Sequence, residues 1–174
     1  MKKSTLVLGL FIVILSACND SPQNEKQSNG STLKQDTIKK STMKGFNNNI
    51  EKETLKNEDF RNVLYTSKNL QLVLMSLKPG EDIGSEIHVN SDQFFRFESG
   101  KGKVIVNDNE YTVEAGDVIV VPLGSRHNVI NTDSTEELKM YTIYAFPQHK
   151  VGIVRATKKE AQEHADKFDG TTTE

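Results

Sequence analysis

Residues 80–131 read GEDIGSEIHVNSDQFFRFESGKGKVIVNDNEYTVEAGDVIVVPLGSRHNVIN. Short runs rich in Val, Ile and Phe alternate in this stretch with turns that contain Gly, Pro, Asn and Asp. The spacing of the runs is nearly regular, and no helical pattern of apolar residues separates them. Such a stretch is typical of an all-β barrel or sandwich built from short strands.

The strand prediction extends to both sides of this stretch. The predicted strands span 62–66, 70–77, 83–88, 93–98, 104–106, 111–113, 118–121, 127–131 and 138–145. The apolar character of 70–77 predicts a strand that is buried on both faces, and 118–121 is also predicted to be buried. Thr157 and Glu160 fit the capping box that begins a helix, which we expect to end near Gly170. This short C-terminal helix is expected to cover a barrel end or an edge strand.

Alternation of side chains assigns the two faces of the fourth predicted strand. Gln93, Phe95 and Phe97 share one face, and we expect both phenylalanines on the inner wall of the barrel. Arg96 and Glu98 share the opposite face, where they are expected to form an ion pair or a dimer contact.

Two histidines, a carboxylate and a carboxamide are spaced so that they can meet at one point. Glu86 and His88 are two residues apart, and on a strand they therefore point to the same side. Gln93 and His127 each begin a later predicted strand, so all four side chains converge if these strands pair across a narrow barrel. Oxygen and imidazole ligands suit one divalent transition metal, namely Fe, Mn, Co, Ni or Zn. The predicted domain has no cysteine that could supply a thiolate ligand.

Glycines and prolines around these residues complete two motifs, through which the chain resembles the cupin superfamily over residues 70–145. The first motif is matched, in order, by Gly80, Glu86, His88, Gln93 and Gly100. The second motif is matched by Gly116, Pro122, Gly124, His127 and Asn131. The resemblance implies the cupin double-stranded β-helix, also called a jelly-roll barrel, with a mononuclear metal site. It also favours a homodimer, because small cupins commonly pair through their sheets.

Two of the motif positions differ from the usual cupin residues. Glu86 replaces the first His and Gln93 replaces the usual Glu. Three neutral His plus one Glu carry a charge of −1, and so do two neutral His, one Glu and one neutral Gln, so the ligand charge is unchanged. Carboxylate in place of imidazole shifts the metal preference toward Mn(II) or Fe(II). Asp92 takes the acidic position if the shorter permitted gap after His88 is used, but the count to Gly100 favours Gln93.

Three short segments resemble a narrower group, the small single-domain bacterial cupins often labelled mannose-6-phosphate isomerase-like. These segments are EIH at 86–88, DQFFR at 92–96 and YTIY at 141–144. Isomerase chemistry, which this resemblance implies, also demands a base that moves a proton. Glu86 is the candidate catalytic base, and it can serve only where it is not fully committed to the metal.

The N-terminal residues are typical of a targeting segment. Lys2 and Lys3 are followed by an almost wholly apolar run at 6–15, which is too short for a comfortable transmembrane span. The sequence LSAC, ending at Cys18, resembles the lipobox of bacterial lipoproteins, and lipidation would account for the single cysteine of the chain. We therefore predict a signal peptide at 1–17, a polar flexible tether at 18–50 with lipidated Cys18, and a cupin domain at 51–170 with its core at 70–145. The expected location is the cell envelope, with a lipid anchor in a membrane outside the cytoplasm.

Composition limits the classes of partner. The chain has 174 residues, enough for one ordinary domain, and its 22 basic and 24 acidic residues give a net charge of −2. This balance argues against a nucleic-acid-binding surface. His149 and His164 lie outside the motifs and are expected to face solvent.

Three functional hypotheses follow from these observations. The first is a metal-dependent protein that acts on or binds a small polar, carbohydrate-like molecule outside the cytoplasm. The second is a mononuclear iron oxygenase, because an Fe(II) site with an open position can bind oxygen and substrate together. The third is a binding protein that captures a small ligand or a metal without turnover.

Overall fold

The structure is a computed structural model that describes residues 42–164 and 166–174. The predicted signal peptide, Cys18 and most of the predicted tether lie outside the described residues. The described part forms two helices and ten strands: α1 (Ile50–Lys56), β1 (Arg61–Thr66), β2 (Gln71–Leu77), β3 (Glu86–Ile87), β4 (Asp92–Ser99), β5 (Lys101–Val106), β6 (Asn109–Glu114), β7 (Val118–Val121), β8 (Arg126–Asn131), β9 (Leu138–Ala145), β10 (Val154–Arg155) and α2 (Lys158–Glu163). Neither helix has the length and apolar character needed to cross a membrane.

The strands form two antiparallel sheets. The first has six strands in the order β10-β1-β2-β9-β4-β7, and the second has four in the order β3-β8-β5-β6. One cluster of buried apolar side chains draws its members from both sheets, so the core lies between them. The prediction of an all-β fold with a short C-terminal helix is confirmed.

Strand β4 has the two faces that the alternation of its residues predicted. Phe95 and Phe97 are fully buried in the core, as expected for the inner wall. Burial of each such side chain contributes about 1.5–3 kcal/mol to stability. On the other face Arg96 Nε lies 3.6 Å from Glu98 Oε1, which confirms the ion pair.

Strand β2 is buried on both faces, as predicted, because its outer face is also covered. Its residues from Val73 to Leu77 are all buried. Helix α1 packs against β2, β4 and β9, and Lys139 on β9 donates a 3.0 Å hydrogen bond to the Leu55 carbonyl. Helix α1 therefore covers the outer face of the larger sheet at β2.

Strand β7 corrects the prediction that 118–121 is a buried strand. Val121 is buried, but Val118 and Val120 are 50% and 63% exposed. The reason is topological, because β7 is the edge strand of the six-stranded sheet and only one of its faces meets the core. A short apolar run alone does not separate an edge strand from a central one.

The strand predicted at 83–88 is shorter than expected. Only Glu86 and Ile87 form β3, although Asp82 makes an isolated bridge with Ile130 on β8. Gly84 adopts a φ of +90° between the two pairings. This left-handed backbone interrupts the strand, and glycine adopts it at little steric cost.

Helix α2 begins as predicted but ends early. The capping-box threonine accepts a 3.2 Å hydrogen bond from the backbone of the acidic residue three positions later. The helix ends at Glu163 and not near Gly170. Lys167 makes a β-bridge with His149, so strand-like pairing replaces the continuation of the helix.

Candidate metal centre

Three of the four predicted metal ligands form one cluster. Glu86 on β3 and His127 on β8 are directly paired across the four-stranded sheet, and His88 follows β3 immediately. One ligand atom from each of the three side chains lies within 4.8 Å of the other two. Oε2 of Glu86 lies 3.4 Å from Nε2 of His88. Strand pairing and period-two alternation thus bring together residues that are 41 positions apart in the chain.

The environment of His127 prepares one nitrogen to bind a metal. The ring is 1% exposed, and Nδ1 lies 3.2 Å from the carbonyl oxygen of Ser125, to which it can donate. That hydrogen bond selects the tautomer in which Nε2 carries the lone pair. Burial lowers the pKa of His127, and the nearby His88 lowers it further. His127 is therefore neutral near pH 7, which is the form that binds metals.

Three buried polar atoms at this point lack the partner that a metal would supply. Nε2 of His88, Nε2 of His127 and Oε1 of Gln93 are buried and accept or donate no hydrogen bond among the described residues. Ligand bonds of about 2.1 Å place ligands on opposite sides of one ion about 4.2 Å apart. The ligand atoms lie within 4.8 Å of one another, slightly beyond this distance, so side-chain movements of less than about 1 Å bring them to ligand-bond distances. The residues present fit a divalent transition metal.

Gln93 and Asp92, the two alternatives for the fourth ligand, lie in different environments. Gln93 is 1% exposed, and its Nε2 donates a 3.0 Å hydrogen bond to Thr142 Oγ1. The amide nitrogen is thereby fixed, and Oε1 is left free. Asp92 is exposed, and its Oδ1 accepts a 2.8 Å hydrogen bond from the backbone of Leu123. Asp92 therefore stabilises a loop, whereas metal ligation by Gln93 stays a prediction.

The cluster opens into a pocket of about 810 Å³. Glu86 and His88 lie on its wall together with Arg61 from β1, residues 147–149 and part of α2. The C-terminal helix thus contributes to the pocket as well as to closure of the core, where Ala161 is buried. The pocket therefore borders the ligand cluster through Glu86 and His88, whereas His127 is buried and does not line it.

His149 corrects the expectation that both outlying histidines face solvent. It is half-buried on the pocket wall, and its Nε2 lies 3.3 Å from Oη of Tyr144. Burial lowers the pKa of His149 well below its usual value, and the charge of Arg61 lowers it further. Its ring is therefore neutral near pH 7. His164 is exposed, as expected, and lies beside the same pocket.

Tyr144 connects His149 to the ligand cluster. Its ring packs edge-on against His88, with 5.2 Å between ring centroids, and is 2% exposed. Burial raises the pKa of the Tyr144 hydroxyl, and the Glu86 carboxylate adds to this effect. The hydroxyl is thus a neutral hydrogen-bonding group that lies behind the pocket wall, between His149 and His88.

The sequence did not reveal three members of the site, namely Arg61 and His149 on the pocket wall and Tyr144 behind it. For Tyr144 a usable pattern existed, because alternation along β9 places it on the same face as buried Thr142 and Met140. Arg61 and His149 follow no motif and no periodic pattern. They reach the pocket through long-range pairing of chain segments, which local sequence does not encode.

Comparison with known proteins assigns this architecture to a family. A family model described as a cupin domain matches residues 73–144. The uncharacterized protein YrkC of Bacillus subtilis is 48% identical over 124 residues, which cover 68% of this chain and 66% of YrkC, about two thirds of its length. The uncharacterized protein L612 of Acanthamoeba polyphaga mimivirus is 41% identical over 116 residues, which cover 65% of this chain and 72% of that protein.

A solved structure agrees with these sequence relatives. The crystal structure of BH2720 from Bacillus halodurans is 44% identical and superposes with a TM-score of 0.67. The match covers 68% of this chain and 94% of BH2720. Both the sequence and the arrangement of strands are therefore shared across the domain. The chain belongs to the cupin-domain family.

Proposed function

We propose that this protein binds one divalent transition metal through Glu86, His88 and His127 and uses it to bind or transform a small polar molecule. The observation that carries the proposal is the convergence of three ligand groups, of which Glu86 and His88 line a pocket of about 810 Å³. Gln93, whose buried Oε1 has no hydrogen-bond partner among the described residues, is proposed as the fourth ligand.

The chemistry of the donor set supports a Lewis-acid role. A bound divalent metal would polarise a carbonyl or hydroxyl group of the ligand. The chain itself supplies the orientation, because the Ser125 carbonyl fixes the ring of His127 and Thr142 fixes the amide of Gln93. Neutral polar groups on the pocket wall, among them Asn90 and Gln148, can hydrogen-bond hydroxyl groups of a carbohydrate-like molecule.

The isomerase-like subgroup supplies a narrower version of this proposal. Isomerisation requires a group that moves a proton between two carbon atoms. Glu86 can act as that base only if its carboxylate is not fully engaged by the metal, and it lies within 3.4 Å of His88 in the ligand cluster. His149, a neutral ring hydrogen-bonded to Tyr144 on the same wall, is a second group able to accept a proton.

Elemental analysis combined with oxygen uptake tests the proposal. The protein purified under anaerobic conditions is expected to contain about one equivalent of a divalent transition metal, because the cluster provides one site. The same sample is then screened for oxygen consumption with small carbohydrates and hydroxy acids. Metal binding without oxygen consumption supports Lewis-acid chemistry or simple binding.

Other outcomes point to the alternatives or contradict the proposal. Iron together with substrate-dependent oxygen uptake favours a mononuclear iron oxygenase. Ligand-induced thermal stabilisation without any turnover favours a binding protein. Protein that takes up no transition metal, even after incubation with excess Mn(II), Fe(II) or Zn(II), contradicts the metal site.

We further propose that the domain is exported and held at a membrane by a lipid on Cys18. The support is in the sequence: two N-terminal lysines, an apolar run at 6–15 and a lipobox-like LSAC. Cells that express the wild-type chain and grow on labelled palmitate are expected to incorporate label into it. The variant Cys18→Ala is expected to incorporate none and to leave the membrane fraction. Equal labelling of the two proteins would refute the anchor.

The homodimer implied by the resemblance stays a proposal. The outer face of the larger sheet offers an apolar row across neighbouring strands, in which Phe94 is paired with Val120 on one side and Ile143 on the other. Such a row can pack against its counterpart in a second copy. The molar mass in solution, measured by light scattering, tests this.

A further inference from the structure

Arg61, at the start of β1, is an incompletely paired cation on the pocket wall. Its side chain is only 10% exposed, and its one ion pair among the described residues is with Glu86. That contact, from Nη2 to Oε1, measures 4.0 Å and is too long for a hydrogen bond. Nε of Arg61 is buried and has no hydrogen-bond partner among residues 42–164 and 166–174.

Arg155, on the strand next to Arg61, is by contrast an arginine whose guanidinium is fully engaged by a carboxylate. Arg61 and Arg155 are directly paired between β1 and β10. Arg155 binds Asp166 with both arms of its guanidinium, from Nε to Oδ2 and from Nη2 to Oδ1, each at 2.8 Å. Asp166 is thus committed to Arg155, and Arg61 lacks an equivalent carboxylate.

A buried guanidinium at this position lowers the stability of the folded state unless an anion binds to it. Burial of a charged group without hydrogen-bonded partners opposes folding, and native arginines are therefore usually paired. Among the described residues, the charged side chains that line the pocket are the acidic Glu86 and Asp166 and the basic Arg61 and Lys167. Glu86 belongs to the ligand cluster, where a metal would share its charge, and Asp166 is held by Arg155. The positive charge of Arg61 is therefore left beside the cluster without a carboxylate of its own.

We propose that Arg61 binds an oxyanion group, a carboxylate or a phosphate, of the molecule that occupies the pocket. The planar fork of arginine matches both groups through two parallel hydrogen bonds. The inference rests on the proposed function, because it specifies the ligand of the same pocket. Its Glu86 contact places Arg61 next to the ligand cluster, so one end of an anionic molecule lies at Arg61 while a neighbouring oxygen faces the cluster.

Calorimetric titration of the full chain, purified in detergent and loaded with Mn(II), tests the proposal. The probes are malonate and inorganic phosphate, with malonamide as the uncharged analogue of malonate. The wild-type protein is expected to bind at least one oxyanion and to bind malonamide at least about tenfold more weakly. The oxyanion that binds more tightly identifies the group as carboxylate or phosphate.

The variant Arg61→Gln removes the charge and keeps a polar side chain. We expect its dissociation constant for the oxyanion to rise about ten- to a hundredfold, because the lost hydrogen bonds involve a charged group. Arg61→Lys keeps the charge but lacks the planar fork, and its dissociation constant for the oxyanion is expected to lie between those of the wild type and Arg61→Gln. Arg96→Gln, on the outer face of β4, is the matched control and should bind as the wild type does. Oxyanion binding by Arg61→Gln within twofold of the wild type would overturn the proposal, as would equal binding of malonate and malonamide.

Two further measurements distinguish failure of the proposed anion site from failure of the proposed metal site. The metal content of Arg61→Gln is expected to equal that of the wild type, since Arg61 is not a ligand. In metal-free protein, Glu86→Gln removes the one ion-pair partner that Arg61 has among the described residues and is expected to tighten oxyanion binding severalfold. If the wild type takes up no metal but this gain occurs, the anion site stands and the metal proposal fails. If the wild type binds metal but Glu86→Gln shows no tighter oxyanion binding, the anion-site proposal fails and the metal-site proposal stands.

Discussion

The variant His127→Ala is expected to lose the metal. His127 supplies a buried neutral nitrogen whose direction is fixed by Ser125, and its removal leaves Glu86 and His88 as the remaining members of the cluster. Even the loss of a residue that only orients a ligand lowers metal affinity about ten- to a hundredfold, so loss of the ligand itself should cost at least about a hundredfold. The measurement is metal content after loading with Mn(II) or Zn(II) and dialysis.

Two further variants separate loss of a ligand from damage to the core. His127 is 1% exposed, so alanine also leaves a cavity and lowers stability. The side chain of His88 is 13% exposed, and His88→Ala should lose metal with less effect on folding. His164→Ala removes an exposed histidine outside the cluster and is expected to keep the wild-type metal content. Wild-type metal content in both ligand variants, with unchanged metal-induced thermal stabilisation, would show that the metal site is wrong.

The candidate ligand cluster was predictable in part, because the direction in which each side chain points follows from local strand geometry. Glu86 and His88 share a face through the two-residue period, and the same period places Gln93 inward and Asp92 outward. The pairing of β3 with β8 was not itself predicted, because the expected convergence was conditional on strands pairing across a narrow barrel, the fold that the cupin resemblance implied. Residues whose direction follows from local backbone geometry can thus be assigned from sequence.

The rest of the pocket could not be predicted, because long-range pairing builds it. Arg61 reaches the wall through the pairing of β1 with β10, a two-residue strand with no sequence pattern of its own. His149 is held by its bridge to Lys167, which also prevents α2 from continuing. Exposure of β7 follows from its place at a sheet edge, which composition does not encode. The hydrophobic pattern indicated which strands exist, whereas their neighbours decided which side chains meet.

The variant Gly100→Ala is expected to cause the largest loss of stability among the glycine substitutions that leave the ligands untouched. Gly100 joins β4 to β5 with a φ of +84°. A Cβ atom there would lie 2.4 Å from the carbonyl oxygen of Glu137 and 2.9 Å from Cα of Leu138. Both are backbone atoms, and Leu138 is fully buried at the start of β9, so neither can move without displacing the core. Left-handed backbone costs about 1–2 kcal/mol for alanine and overpacking about 1–3 kcal/mol, so we expect a total loss of about 2–5 kcal/mol.

Gly116→Ala isolates the backbone contribution to this loss. Gly116 has a φ of +99°, but no atom lies within 4 Å of an added Cβ. Its substitution is therefore expected to cost only about 1–2 kcal/mol. Urea unfolding of both variants measures the difference, and equal losses would contradict a steric role for the Glu137 backbone.

The close approach of Gly100 to the Glu137 backbone also matters to the candidate ligand cluster, because β4 carries Gln93 and β5 pairs with the strand that carries His127. The Gly100 turn holds β4 and β5 against β9, and it thereby sets the spacing of the two sheets on which the ligand cluster depends. We therefore expect Gly100→Ala to weaken metal binding although it removes no ligand.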